Sequence, residues 1–192
     1  MPERLQEWSL RVQKAGPAIA LAIGKVAASI ALDGERNAKI NATTRMRKRT
    51  GHLRRSIQGR TKRASEDVIE VHVSAGGTAA LGTIKYARIQ ELGGTVRPKT
   101  ARMLAIPLGP ALTAAGVNRR TSPRDNPNLV LIKSRAGRLL LIDKYTGVPF
   151  YVLKHQVEIK PKYYLRDGLK KAMNDRRPEL DAAVAKVIEG PK

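Results

Sequence analysis

The stretch SIQGRTKRASEDVIEVHVS, residues 56–74, decides the architecture. Its halves, Ser56 to Arg63 and Val68 to Ser74, are of strand length. The second alternates Val71 and Val73 with polar neighbours, and Ser65-Glu66-Asp67 between the halves is turn chemistry. A β-hairpin is expected. What precedes it has a different period: after Gly16-Pro17, residues Ile19, Ile23, Val26 and Ile30 recur every three or four positions, and Pro17 suits a first turn. That predicts a helix from residue 17 into the low 40s, and Leu5, Trp8 and Val12 predict a shorter one over about 2–15.

Downstream, Ala75-Gly76-Gly77-Thr78 reads as a loop and Tyr86 to Leu92 as a short helix stopped by Gly93-Gly94. Met103 to Leu108 reads as a buried strand. Residues 117–128 hold three arginines, two prolines and three asparagines, the composition of a solvated excursion. Leu129–Lys133, Arg138–Ile142 and Phe150–Glu158 then predict three strands of a meander, separated by turns at Arg135-Ala136-Gly137 and Tyr145-Thr146-Gly147. Tyr164, Leu165, Leu169, Met173, Leu180, Val184 and Ile188 predict a C-terminal helix, kinked or divided at Pro178. The fold class is α+β, with N-terminal helices and a C-terminal helix flanking an antiparallel or mixed β-sheet. The expected organisation is an N-terminal helical segment over 1–49, a sheet-containing core over 50–175 with a loop insertion at 117–128, and the helix end with its tail over 176–192.

Thirty-seven Lys and Arg against 16 Asp and Glu give the 192 residues a formal charge of +21 and a pI near 10.9. Small domains tolerate a net charge of roughly 2–8, so this excess opposes compaction and calls for a polyanionic or oligomeric partner. With 42% hydrophobic and only 4% aromatic residues, the chain can bury a core, but one built from Ala, Leu, Ile and Val. The absence of cysteine excludes disulfides, Cys-liganded zinc and thiol nucleophiles. The most apolar stretch, Ala18 to Leu32, is shorter than the ~20 residues of a membrane span and is interrupted by Lys25. Glu3 and Glu7 stand where a secretory leader would be basic.

Catalytic chemistry is not expected. His52 sits beside arginines, and His72 and His155 fall in predicted strands without metal-ligand spacing or a carboxylate pair to orient them. Gly76-Gly77-Thr78 lacks the Lys-Ser/Thr of a phosphate-cradling loop, and the acids are dispersed. No metal site or cofactor follows.

Charge is concentrated instead: Arg36 to Arg63 contains eleven Lys and Arg and no acid. Arg45, Arg47, Lys48, Arg49, Arg54, Arg55, Arg60, Lys62 and Arg63 are the candidate DNA-facing residues, although a change from helix to strand within the run could split them between two faces. Without interleaved aromatics the block suits phosphate neutralisation and not base stacking, so sequence-independent DNA attraction is expected. The Ala/Ile-rich segment up to Thr44 is expected to serve association.

Three motifs recur in order: Thr50-Gly51-His52-Leu53-Arg54-Arg55-Ser56-Ile57; Tyr86-Ala87-Arg88-Ile89-Gln90-Glu91-Leu92-Gly93-Gly94; and Ile159-Lys160-Pro161-Lys162-Tyr163-Tyr164-Leu165-Arg166-Asp167-Gly168-Leu169. Together, over about residues 50–175, they resemble the tail-completion or neck (head–tail joining) proteins of tailed bacteriophages. That family shows a TG-x-L-x-x-S-I start, a YA-x-x-x-E-x-G middle and a P-x-x-(F/Y)-L-x-x-A-L end. Thr50, Gly51, Leu53, Ser56, Tyr86, Ala87, Glu91, Gly93, Pro161, Tyr164 and Leu165 match the pattern. Leu92 stands where an aromatic is usual and Gly168 where alanine is usual. The resemblance implies a non-enzymatic virion protein of the neck or tail end, present in host cytoplasm during assembly. It also implies a homo-oligomeric ring, such as a hexamer, touching connector and tail proteins around a DNA channel, with no membrane. On the residues alone, Gly51 and Gly93 would permit positive φ at helix exits, and Tyr86, Leu92, Tyr164 and Leu165 would pack helices on the sheet. The rival reading is a cellular basic nucleic-acid-binding protein of the ribosome-associated type.

Overall fold

The computed structural model describes residues 17–46, 50–65, 68–77, 84, 86–119 and 122–188. The expected helix over about 2–15, the turn residues Glu66 and Asp67, and Arg47, Lys48 and Arg49 lie outside them. The chain forms two compact units, one of residues up to Leu92 and from Pro161 onward, the other Gly93–Lys160. The cuts fall there, and not at 49/50 and 175/176, because one core joins the first helix to the hairpin and the last helix runs unbroken past residue 176.

In the first unit, α1 (Pro17–Thr44) and α4 (Tyr164–Ile188) pack on each other and on the antiparallel hairpin of β1 (Gln58–Ser65) and β2 (Val68–Ser74). Two short helices, α2 (His52–Ser56) and α3 (Ala87–Leu92), complete it. The buried cluster takes Val26 and Ile30 from α1, Leu53 from α2 with Ile57 just after it, Val71 and Val73 from β2, Ala87 from α3, and Tyr164 and Leu169 from α4. Ala27, Ala31, Gly34, Ala38 and Ala42 lie at helical spacing along one face of α1, and their small side chains let neighbours come close. A Cβ on Gly59 would lie 2.0 Å from the Ala31 carbonyl oxygen, and one on Gly168 would lie 2.6 Å from the Ala38 nitrogen. Glycine at these two points is what allows β1 and α4 to lie against α1. The inner face of α1 is thus intramolecular core. The expectation that the segment up to Thr44 mainly serves association holds for none of Ile23, Val26, Ile30 or Ala38.

The second unit is all antiparallel. A four-stranded sheet runs in the order β4 (Leu104–Pro107), β7 (Pro149–Lys154), β6 (Leu139–Asp143), β5 (Leu129–Lys133). A separate ladder pairs β3 (Gly94–Val96) with β8 (Val157–Ile159). The strand expected over Phe150–Glu158 breaks at His155-Gln156, after which β8 leaves the sheet for β3; α3 stops before Gly93-Gly94 as expected, and Gly94 opens β3. Within 117–128 a bridge joins Leu112 to Asn118, and a 3₁₀ turn at Pro123–Asp125 is capped by reciprocal bonds between Ser122 and Asp125. Pro178 does not divide α4, since it is exposed and water can reach the carbonyl it leaves without a donor.

Candidate nucleic-acid interface and motif residues

The basic block changes element twice, and its charges part accordingly. Arg45 follows the end of α1 and turns inward. One guanidinium nitrogen donates to the Lys162 carbonyl at 2.8 Å, to the Tyr163 carbonyl at 3.4 Å and to Asp167 Oδ2 at 2.7 Å. Its charge is matched by an acid, and its geometry belongs to the start of α4. Burial would raise the Asp167 carboxyl, but hydrogen bonds from Arg45 and Arg166 outweigh it and hold the group below its ordinary value.

The described candidates on α2 and β1 are exposed. Arg54 and Arg55 are exposed on α2, and Arg55 donates to the Thr50 carbonyl at 3.5 Å. Register places Gln58, Arg60 and Lys62 on the hairpin face opposite to Gly59, Thr61 and Arg63. The latter share the side of Val73, Val71 and Ile69, which looks toward the core nearer the sheet's base. Arg60, Lys62 and Arg63 are all exposed. Arg60 donates to Gln58 Oε1 at 2.6 Å, a neutral partner. The acid nearest in register, Glu70 opposite Lys62, lies 3.0 Å from His72 Nε2. Among the described residues no carboxylate forms an ion pair with Arg54, Arg55, Arg60 or Lys62. The chemical capacity of this surface is to neutralise phosphates or an acidic protein. Among the described residues no three His, Asp or Glu side chains come together as a metal cluster requires.

The motif residues are structural stitches. Gly51 has φ 73° and Gly93 φ 71°, the left-handed conformation expected at both. The Ser56 hydroxyl donates to the Leu53 carbonyl and accepts the Gly76 amide at 3.1 Å, tying the exit of α2 to the loop after β2. Glu91, only 3% exposed, does what its spacing did not reveal. Its two carboxylate oxygens accept the backbone N–H of Leu165 at 2.9 Å and of Arg166 at 3.0 Å, the first amides of α4, so α3 caps α4. Lys162 and Tyr163 also donate their amides to the carbonyls of Gln90 and Glu91. Tyr163 has φ 47°, and the Arg166 guanidinium lies 3.7 Å from its ring centre. Tyr164 is fully buried and its hydroxyl donates to the Ala87 carbonyl at 3.3 Å. Burial, then the nearby Glu91 and Tyr86, push its ionisation up. Tyr86, expected in the packing, is exposed.

Missed in the sequence were the Arg45–Asp167 pair, the Glu91 cap and the bond from Arg176 to Asp33 at 2.7 Å between α4 and α1. Each joins residues more than 70 positions apart, so no local spacing signals it.

Residues 3–93 match the sequence model of the family described as “Bacteriophage HK97-gp10, putative tail-component”. The match takes in the first motif and nearly all of the second, and extends further toward the N-terminus than the resemblance read from motifs. The third motif lies beyond it. No curated protein and no solved structure matches the chain.

Proposed function

We propose that this phage tail component is a non-enzymatic tail-completion or head–tail joining subunit that forms a ring around the DNA channel. The observation carrying the proposal is the α2–β1 surface. Arg54, Arg55, Arg60 and Lys62 stand exposed and, among the described residues, form no ion pair with a carboxylate, on a chain whose residues 3–93 match a phage tail family. Phosphate attraction without base readout fits a channel through which any sequence must pass. Copies around a ring add their fields only within a Debye length of ~8 Å at physiological salt, so the assembled form binds duplex more tightly than one subunit does. Ring contacts have a surface available as well. On the outward stripe of α1, Leu21, Leu32 and Ile40 are exposed and alternate with Lys25 and Arg36. Association therefore belongs to the outer face of the helix whose inner face is core.

The test combines a native mass measurement of the assembled state with duplex titration at two salt concentrations. A ring is expected, with log affinity falling by about 0.9 per phosphate contacted for each tenfold rise in salt. Changing Arg54, Arg55, Arg60 and Lys62 together to Ala is expected to flatten that slope. Unchanged affinity, or selective and salt-insensitive binding, would remove DNA from this surface.

A further inference from the structure

The second unit has the outline of a docking module. It begins at Gly93, where the family match ends, and β3 and β8 form a two-stranded stem between whose inner ends, Val96 and Val157, the chain makes the four-stranded sheet. That sheet is apolar on both faces. Across the strands, one face carries the row Ile106, Val152, Leu140, Ile132 and the other the row Pro107, Tyr151, Leu141, Leu131. An antiparallel sheet with one wet face alternates apolar with polar residues, whereas LVLI at 129–132 and LLLI at 139–142 do not. Yet among the described residues of 93–160 only Ala111, Gly116 and Tyr151 are buried, and Leu131 is 59% exposed.

The exposure gathers on β5, the end strand of the sheet, paired only with β6. Val130, Leu131 and Ile132 are consecutive and exposed there. Protected edges carry proline, bulges or inward-pointing charges. β4, the opposite edge, contains Pro107, while β5 has none of these between Leu129 and Ile132. Its rim is predominantly positive. Residues 93–160 contain twelve Lys and Arg against three acids, and Arg124, Lys133, Arg135, Arg138 and Lys144 flank β5 and β6. The local acids face backbone amides: Asp125 accepts the Ser122 N–H, and Asp143 Oδ1 accepts the N–H of Tyr145 and Thr146. A second copy would bring the same positive rim. Nucleic acid would meet leucine, valine and isoleucine where phosphates need donors.

We propose that β5 is a docking edge for an extended acidic segment of a neighbouring virion protein, which adds as a fifth strand, sets its apolar side chains beside Val130, Leu131 and Ile132, and meets the basic rim with its acids. The virion neighbour rests on the tail assignment; the edge itself does not rest on the ring or the DNA surface.

The test titrates the full chain with a labelled peptide of about four Val residues flanked on each side by two Glu and with its Lys-flanked counterpart, following fluorescence anisotropy and amide exchange at 129–133. The acidic peptide is expected to bind at least about tenfold more tightly than the basic one, to weaken with salt, and to slow exchange in β5. Leu131→Glu, at an exposed side chain, and Leu131→Pro, which removes an amide that points away from β6 and so blocks strand addition, should each lower its affinity about tenfold or more while circular dichroism and the affinity for duplex DNA stay unchanged. Equal binding of both peptides, or acidic binding untouched by either variant, would overturn the proposal. So would loss of duplex affinity in Leu131→Glu, which would make the edge a DNA surface, or a wild-type dimer that this change dissociates, which would make it a self-contact. Ring mass, measured in parallel, reports on the ring reading alone.

Discussion

Replacing Glu91 tests whether the second motif exists to cap the last helix. The carboxylate is almost wholly buried, and two N-terminal amides of α4, those of Leu165 and Arg166, donate to its separate oxygens at 2.9 and 3.0 Å. Hydrogen bonds to charged groups contribute about 1.5–3 kcal/mol each, and a negative charge at a helix N-terminus adds about 0.3–1 kcal/mol. Burying a carboxylate costs several kcal/mol that its removal recovers, so the lower part of the resulting range of about 3–7 kcal/mol applies. Glu91→Ala should therefore cost about 4 kcal/mol. Glu91→Gln keeps one accepting oxygen but turns an NH₂ toward a donor, and should cost about 2 kcal/mol. At about 2–4 °C per kcal/mol for a chain of this size, melting should fall by about 8–16 °C and 4–8 °C respectively. Thermal unfolding followed by circular dichroism measures both, and amide exchange in the first turn of α4 should accelerate more than exchange in the hairpin. If Glu91→Gln melts with the wild type, or the two variants are equal, the carboxylate is not holding the helix and its place in the motif needs another cause.

The other predictions follow from the same packing. Gly59→Ala puts a Cβ 2.0 Å from the Ala31 carbonyl oxygen and should cost about 1–3 kcal/mol by overpacking. Gly168→Ala meets the Ala38 backbone at 2.6 Å but regains about 1 kcal/mol of helix propensity, so urea unfolding should rank it the milder of the two. Because the Asp167 carboxyl is held below its ordinary value, the stability it contributes is complete above pH ~4 and is lost as pH falls through its depressed folded value. Arg45→Met should lower stability at pH ~6 and flatten its fall toward pH ~2, as read from melting temperatures across that range. Deleting residues 1–32 removes Ile23, Val26 and Ile30 from the core and should abolish cooperative unfolding, whereas Leu32→Ser on the outer stripe should leave melting within about 1 °C and act only on association, read by native mass.

Elements governed by local physics were legible. The hairpin register follows from Val71 and Val73 against a turn, α1 from its Ile and Val period, and the left-handed residues from Gly51 and Gly93. Contacts that depend on where distant segments meet were not. Arg45 reads as one member of a basic run because the residues following it are basic, but its position is set by the end of α1, which delivers it to Asp167, 122 residues away. Glu91 reads as a helical acid in a motif because nothing within α3 shows that the amides it serves open another helix. The split foreseen within the basic block did occur, at the passage from α2 into β1, where strand geometry sends Arg60 and Lys62 one way and Arg63 the other.

The strands of the second unit carry the remaining argument. Runs such as LVLI and LLLI were read as strands from length and β-branched content, and their lack of alternation is the pattern of strands covered on both sides. The strands formed in the expected places, but their side chains are half-exposed or exposed. A sequence pattern is selected under the environment in which the protein works, whereas exposure describes a single chain. Where the two disagree over a contiguous patch, the apolar residues record burial that the chain does not itself supply. The disagreement is confined to the unit that begins where the family match stops, and it is sharpest on β5, the edge without a protecting proline or bulge. The first unit shows no such conflict on its inner faces, because Ala and Gly along α1 let the hairpin and α4 close over them. The first unit therefore completes its own core, while among the described residues the sheet of the second is left uncovered, which is what the proposed docking edge would use.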